Sequence, residues 1–300
     1  MPTLTNQKLI IMSTITLPIN IDECIDYARA GVARFEGLQS IITENDFSKW
    51  KHKLESVDDV AAYLWGDEET GADYTLLSAA VLVGYQGNRM LAFGEIVHAE
   101  RLLNRLDGFI RRFPQLTVPG RTSKQFADKI KNLADFHLLA TLSELTLAYW
   151  FAKQGFTVEF ETPFTHPVTG KRKDADLTIT SSAGSQMHVE VYTPNKRFEA
   201  DGFVDLEGEA NRYLRKIEYK LEDKFGSGEI SELNGKVLLA VNQTYFDAAR
   251  LQQVLADLGQ GESYEGIAKR LPLEIDGILI FEDDFSRTDS FVLRVIQVKP

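Results

Sequence analysis

Two acidic residues stand inside segments with strand character, Asp176 in DADLTIT and Glu190 in MHVEVY. A strand alternates its side chains with period two. Asp174, Asp176, Thr178 and Thr180 therefore share one face, with Leu177 and Ile179 on the other. In the second segment His188, Glu190 and Tyr192 share a face, opposite Met187, Val189 and Val191. The short AGSQ connection makes the two segments a hairpin, so Asp176 and Glu190 can stand side by side. Like charges opposite one another destabilise a sheet. A divalent cation would remove the conflict, since Mg2+ favours one or two carboxylates completed by water and phosphate oxygens. A plain solvated face is the competing reading of the same pattern.

A third carboxylate comes from the segment before these strands. Between Asp135 and Lys153, in FHLLATLSELTLAYWFA, Glu144 is the one Asp, Glu, Lys or Arg. A helix apolar nearly all round is a buried helix, and a buried lone carboxylate is costly unless paired or bound to a metal. The alternative is a narrow polar strip in which Glu144 points outward with Thr141 and Ser143.

The elements that position these acids follow from periodicity and breakers. Up to about residue 115 the spacing predicts helices, among them IDECIDYARAGVARF, SVDDVAAYLW with Ser56 as N-cap, and RMLAFGEIVHAERLLNRLDGFIRRF. Pro114, Pro119 and Gly120 then break the chain. Ser123 to Gly155 reads as one long helix or two abutting ones, and FTVEFETPF as a strand. The DADLTITSS and MHVEVYTP strands follow, then an amphipathic helix LEGEANRYLRKIEYKLEDKF and an apolar strand GKVLLAVNQ. A further helix is expected around residues 245 to 270, with DGILIFED and SFVLRVIQVK as the last strands. The division expected is residues 1–120, mostly helical, and residues 121–300, an α/β domain with a mixed sheet and helices on its faces.

A SEL helix, a strand, an acidic strand carrying DADL, then VEVYTP and a Lys-rich helix resemble the PD-(D/E)XK phosphodiesterase superfamily. The resemblance covers Phe136 to Gln243 and rests on the order and spacing of short motifs. It implies a restriction-endonuclease-like αβββαβ core. Glu144 then matches the family's helix glutamate, an outer metal ligand or water contact. Asp176 matches the central metal-ligating aspartate. Glu190 matches the acid of the E-x-K element, with the Val191 carbonyl as a further ligand of Mg2+ or Mn2+. The family usually carries a lysine two residues after the strand acid, and here that position is Tyr192. A tyrosine can donate a hydrogen bond but supplies no positive charge. Some members bring the lysine from the next helix, where this chain has Lys216, Lys220 and Lys224 at i, i+4 spacing. Lys220, bordering the apolar stripe, is the first choice and Lys216 the second. Lys173 in KRK, with Lys196 and Arg197 past the third strand, could touch phosphates.

Composition bounds the rest. A net charge of −11 argues against nucleic acid, but Arg121 to Lys224 hold 15 basic and 16 acidic residues, so the excess lies elsewhere. The single cysteine, Cys24, excludes an internal disulfide framework and fits a cytoplasmic setting. The longest uncharged apolar run, YTLLSAAVLVGY, is too short to span a bilayer. The first residues lack the pattern of a secretory signal and read as a loose leader, with Met12 as a possible start. The five histidines have no ligand spacing, and His188 reads as a satisfied surface residue. No P-loop, dinucleotide fingerprint or esterase elbow is present. The expected function is metal-dependent hydrolysis of nucleic-acid phosphodiesters, DNA before RNA, in a defence, mobile-element or repair setting. The N-terminal helices could serve a protein partner or a second copy of the chain. The alternative is a nuclease fold without activity, acting as a binding or assembly module.

Overall fold

The computed structural model describes residues 20–65, 75–85, 93–132, 137–193, 219, 222–226, 233, 235–242, 275–283 and 291–297. The helix expected around 245 to 270, and most of the Lys-rich helix, lie outside them.

Helices come first: α1 (Ile21–Val32), α2 (Glu36–Gln39), α3 (Glu44–Glu55), α4 (Val60–Trp65), α5 (Leu76–Gly84), α6 (Phe93–Arg112), α7 (Arg121–Lys131) and α8 (His137–Lys153). Six strands follow among the described residues: β1 (Thr157–Thr165), β2 (Arg172–Thr180), β3 (Gln186–Tyr192), β4 (Lys236–Asn242), β5 (Ile275–Asp283) and β6 (Phe291–Gln297). The chain is α+β, with helices in its first part and a mixed sheet after them. Ser56 closes α3 rather than opening the next helix, its N–H bonding back to Lys53 and Leu54 carbonyls. The VDD stretch after it leads to a start at Val60.

The apolar α5 is the centre of the first part, buried on every side. α1 crosses it at backbone contact: a Cβ on Gly31 would stand 2.0 Å from the Ala80 carbonyl oxygen, and one on Gly84 1.8 Å from that of Tyr27. Thr75 caps α5 by accepting the Ser78 N–H at 3.1 Å.

The strands lie in sequence order, β1-β2-β3-β4-β5-β6. β1, β2 and β3 form an antiparallel meander, β3–β4 and β4–β5 are parallel, and β6 returns antiparallel to β5. The β2–β3 hairpin turns through Gly184 at φ +83°, a conformation that favours glycine. β4 sits inside the sheet and is buried from Val237 to Asn242, the unbroken apolar run of a central parallel strand. α8 lies across β1, β2 and β3 and stops at Gly155, φ +89°. One apolar core runs from α1 through α8 to Phe281 of β5, and Phe113 meets Phe160 edge-on at 5.2 Å across the break after α6.

Candidate functional site

Strand register brings three acids into one row. Leu177 pairs with Val189 and Thr178 with His188, so Asp176 falls opposite Glu190. Phe160 pairs with Leu177 and Thr162 with Ala175, so Glu161 falls opposite Asp176. The β1–β2 pairing skips that row, and Glu161 holds φ 54°, the left-handed region that a side chain seldom adopts. The β2–β3 ladder stops at Leu177 and Val189. Beyond it the Val191 N–H donates to Asp176 Oδ2 at 2.8 Å, a side chain standing in for a strand partner.

This face is not solvated. Asp176 is 7% exposed and Glu190 1%, because further elements cover the sheet. His188, expected at the surface, is buried beside them, with Nδ1 2.9 Å from Thr178 Oγ1. Regular alternation would also turn Asp174 to this side. Instead its carboxylate meets Arg121 and Gln125 of α7, the strands having changed face at the irregular row.

The cover over Asp176 and Glu190 is a helical turn at residues 222–225. Phe225 stacks on Phe164 at 5.6 Å, and Lys173 pairs with Asp223 at 2.9 Å. Gly226, at φ +70°, lies against His166: a Cβ there would stand 2.7 Å from the His166 ring. That ring accepts the Val168 and Thr169 N–H groups at Nδ1, leaving Nε2 to donate to the Glu222 carbonyl at 3.3 Å. So anchored, the turn delivers Lys224, whose Nζ is 3.3 Å from Asp176 Oδ1 and 2.7 Å from Glu190 Oε2. Burial alone would lower the pKa of Lys224, but Asp176 and Glu190 outweigh it and hold the ammonium above its ordinary value.

A second lysine serves the remaining acids. Lys129 of α7 places Nζ 3.1 and 3.0 Å from the two oxygens of Glu144, and 2.6 Å from Glu161 Oε1. Burial again works against the charge of Lys129, and Glu144, Asp176 and Glu161 together raise its pKa. Glu144 shares its lysine with other acids. Burial, with Asp176 and Glu161 adding repulsion, therefore pushes its carboxyl up to about 7 despite Lys129. Glu144 does not point out through a polar strip. Its neighbour Ser143 turns inward, accepting from Asn242 Nδ2 at 2.8 Å.

The residues expected from sequence thus divide. Asp176, Glu190 and Glu144 come together, and Val191 adjoins them. Tyr192 ends β3 half-buried. Lys173 is committed to Asp223 rather than to the acids. Lys216, Lys220, Lys196 and Arg197 lie outside the described residues, and Lys224 is the lysine of that ladder seen at the acids. Sequence reasoning did not single out Lys129, Glu161 or His166. The lone Glu144 in an apolar helix was a signal that a basic partner must come from a neighbouring element.

The donor chemistry fits a hard divalent cation. Asp176 and Glu190 already converge on one cationic point, and the Val191 backbone adjoins it. Among the described residues no group of three or more His, Cys, Asp and Glu side chains is arranged for a metal, so water or phosphate oxygens would complete the shell. Comparison with family models, with curated proteins and with solved structures found no match. Among the described residues no helix is long and apolar enough to cross a membrane.

Proposed function

We propose that the chain is a Mg2+- or Mn2+-dependent phosphodiesterase of the PD-(D/E)XK type, hydrolysing nucleic acid and DNA before RNA. The observation that carries this reading is the place of Lys224. It brings an ammonium to the two strand acids, the charge that Tyr192 does not supply. Two buried acids and a half-buried third in one strand row, with a helix glutamate beside them, are costly and have no use in a surface that merely binds.

Asp176, Glu190 and the Val191 carbonyl would hold the metal, and Lys224 would orient the attacking water and donate to a phosphate oxygen. A bound divalent ion would supply a lowered pKa of water and charge neutralisation at the leaving oxygen. The near-neutral balance of Arg121 to Lys224 leaves this segment open to a polyanion although the chain is acidic. The cytoplasmic setting suggested by the lone Cys24 belongs to the same proposal.

The test is a substrate panel of supercoiled plasmid, linear duplex, single-stranded DNA and RNA, each with Mg2+ or Mn2+. Wild type is expected to cut at least one DNA substrate only with metal, and Asp176→Asn to lose that activity. A wild type that cuts nothing and takes up no metal would leave the binding-module alternative standing.

A further inference from the structure

We infer that Lys129 occupies the place of a second divalent cation, so that the site takes one metal ion per chain. The inference rests on the phosphodiesterase reading above and concerns the half of the site that reading leaves without a task.

The acids form two pairs on different elements. Asp176 and Glu190 sit on β2 and β3 and meet Lys224 through one oxygen each. Glu144 and Glu161 sit on α8 and β1 and meet Lys129, which takes both oxygens of Glu144 and one of Glu161. The second pair meets its lysine through three oxygens and at 3.1 Å or less, the first through two, one of them at 3.3 Å. Glu144 has no carboxylate oxygen outside the reach of that ammonium.

Both acids of this pair are largely shielded from water, at 14% side-chain exposure for Glu144 and 12% for Glu161. Glu161 keeps a left-handed backbone inside a strand, and Glu144 projects from a helix apolar on nearly every side. Two carboxylates so placed repel each other, and a cation between them relieves that repulsion. A divalent ion would do this in a two-metal site. Here an ammonium tethered to α7 does it, at an effective concentration that dissolved metal must overcome. A lysine is also a point charge with three donors, matched to the three oxygens it meets. Lys129 is in this sense a positioning residue. It fixes Glu144 and Glu161 by direct ion pairs, and its charge acts on Asp176 across the row.

Counting bound Mn2+ by titration calorimetry on the full chain tests this without reference to cleavage. Wild type is expected to bind one Mn2+. Lys129→Met, which removes the charge and keeps the bulk, is expected to bind two, and Lys129→Met with Glu161→Gln to return to one. Glu144→Gln with Lys129 intact is expected to weaken the wild-type Mn2+ site by less than about tenfold, because the carboxylate faces the lysine rather than the metal.

Two Mn2+ on wild type would overturn the inference, and that count needs no substitution. A single Mn2+ on folded Lys129→Met would also overturn it, as would a greater than tenfold loss in Glu144→Gln. Each of these three outcomes leaves the phosphodiesterase reading intact. No Mn2+ on wild type would remove that reading, and the inference with it.

Discussion

Lys224 and Tyr192 together decide what kind of site this is. Tyr192 stands two residues after Glu190, where a lysine would face the same carboxylates from the strand itself. The ammonium arrives from the covering turn instead, and the distances to Asp176 and Glu190 are those of a direct ion pair. If position matters less than charge, the two sources are interchangeable. Lys224→Met is then expected to be partly rescued by Tyr192→Lys, the double variant cutting at least about tenfold faster than Lys224→Met alone, a gain of ~1.4 kcal/mol in the barrier. Equal rates would mean that the lysine acts only from the helix. The pairing of Asp176 with Glu190 was legible because period two and a short hairpin leave one register. The choice among Lys216, Lys220 and Lys224 was not, because residues four apart share a helix face and only tertiary placement of the helix selects a turn. Burial of His188 was illegible for a related reason. Alternation says which residues share a face, and not whether another element covers it.

Helices before residue 132 frame the site. α7 is the connector: it carries Lys129 to the acids and Lys131 to Asp46 of α3, at 2.8 Å. Asp46 Oδ2 also accepts the Thr43 N–H at 2.9 Å and the Thr43 hydroxyl at 2.7 Å, closing the first turn of α3. Burial raises the pKa of Asp46, but the bonds from Lys131 and Thr43 outweigh it and leave it below its ordinary value. A depressed carboxylate contributes stability above its unfolded pKa and loses it as pH falls through the folded one. Asp46→Ala is thus expected to cost roughly 1–3 kcal/mol at pH 7, with the gap to wild type narrowing below about pH 4. Denaturant titrations at pH 7 and pH 3 read this, and a gap that widened in acid would contradict it. The misplaced Ser56 cap shows the limit of local signals here. A serine before two aspartates suits either end of a helix, and α3 claimed it by its length.

At the scale of the molecule, the helical part and the sheet share one core among the described residues, and the acids sit beside it. The order of helix, three strands and a parallel strand was legible from hydrophobic period and breakers, because each element satisfies its own pattern. What period could not give was the irregular row at Glu161, where the β1–β2 pairing is interrupted and four carboxylates meet two lysines. The central claim is that this row, with Lys224 above it, cuts phosphodiester bonds. The most direct measurement is the rate of Mn2+-dependent DNA cleavage by wild type and by Lys224→Met at saturating metal, with Mn2+ affinity measured alongside. The account predicts a loss of about 10²–10³-fold in rate, of the size seen when one preorganised donor to a developing charge is removed. It also predicts Mn2+ binding no weaker than in wild type, since a competing ammonium has gone. Cleavage by Lys224→Met at the wild-type rate would contradict it.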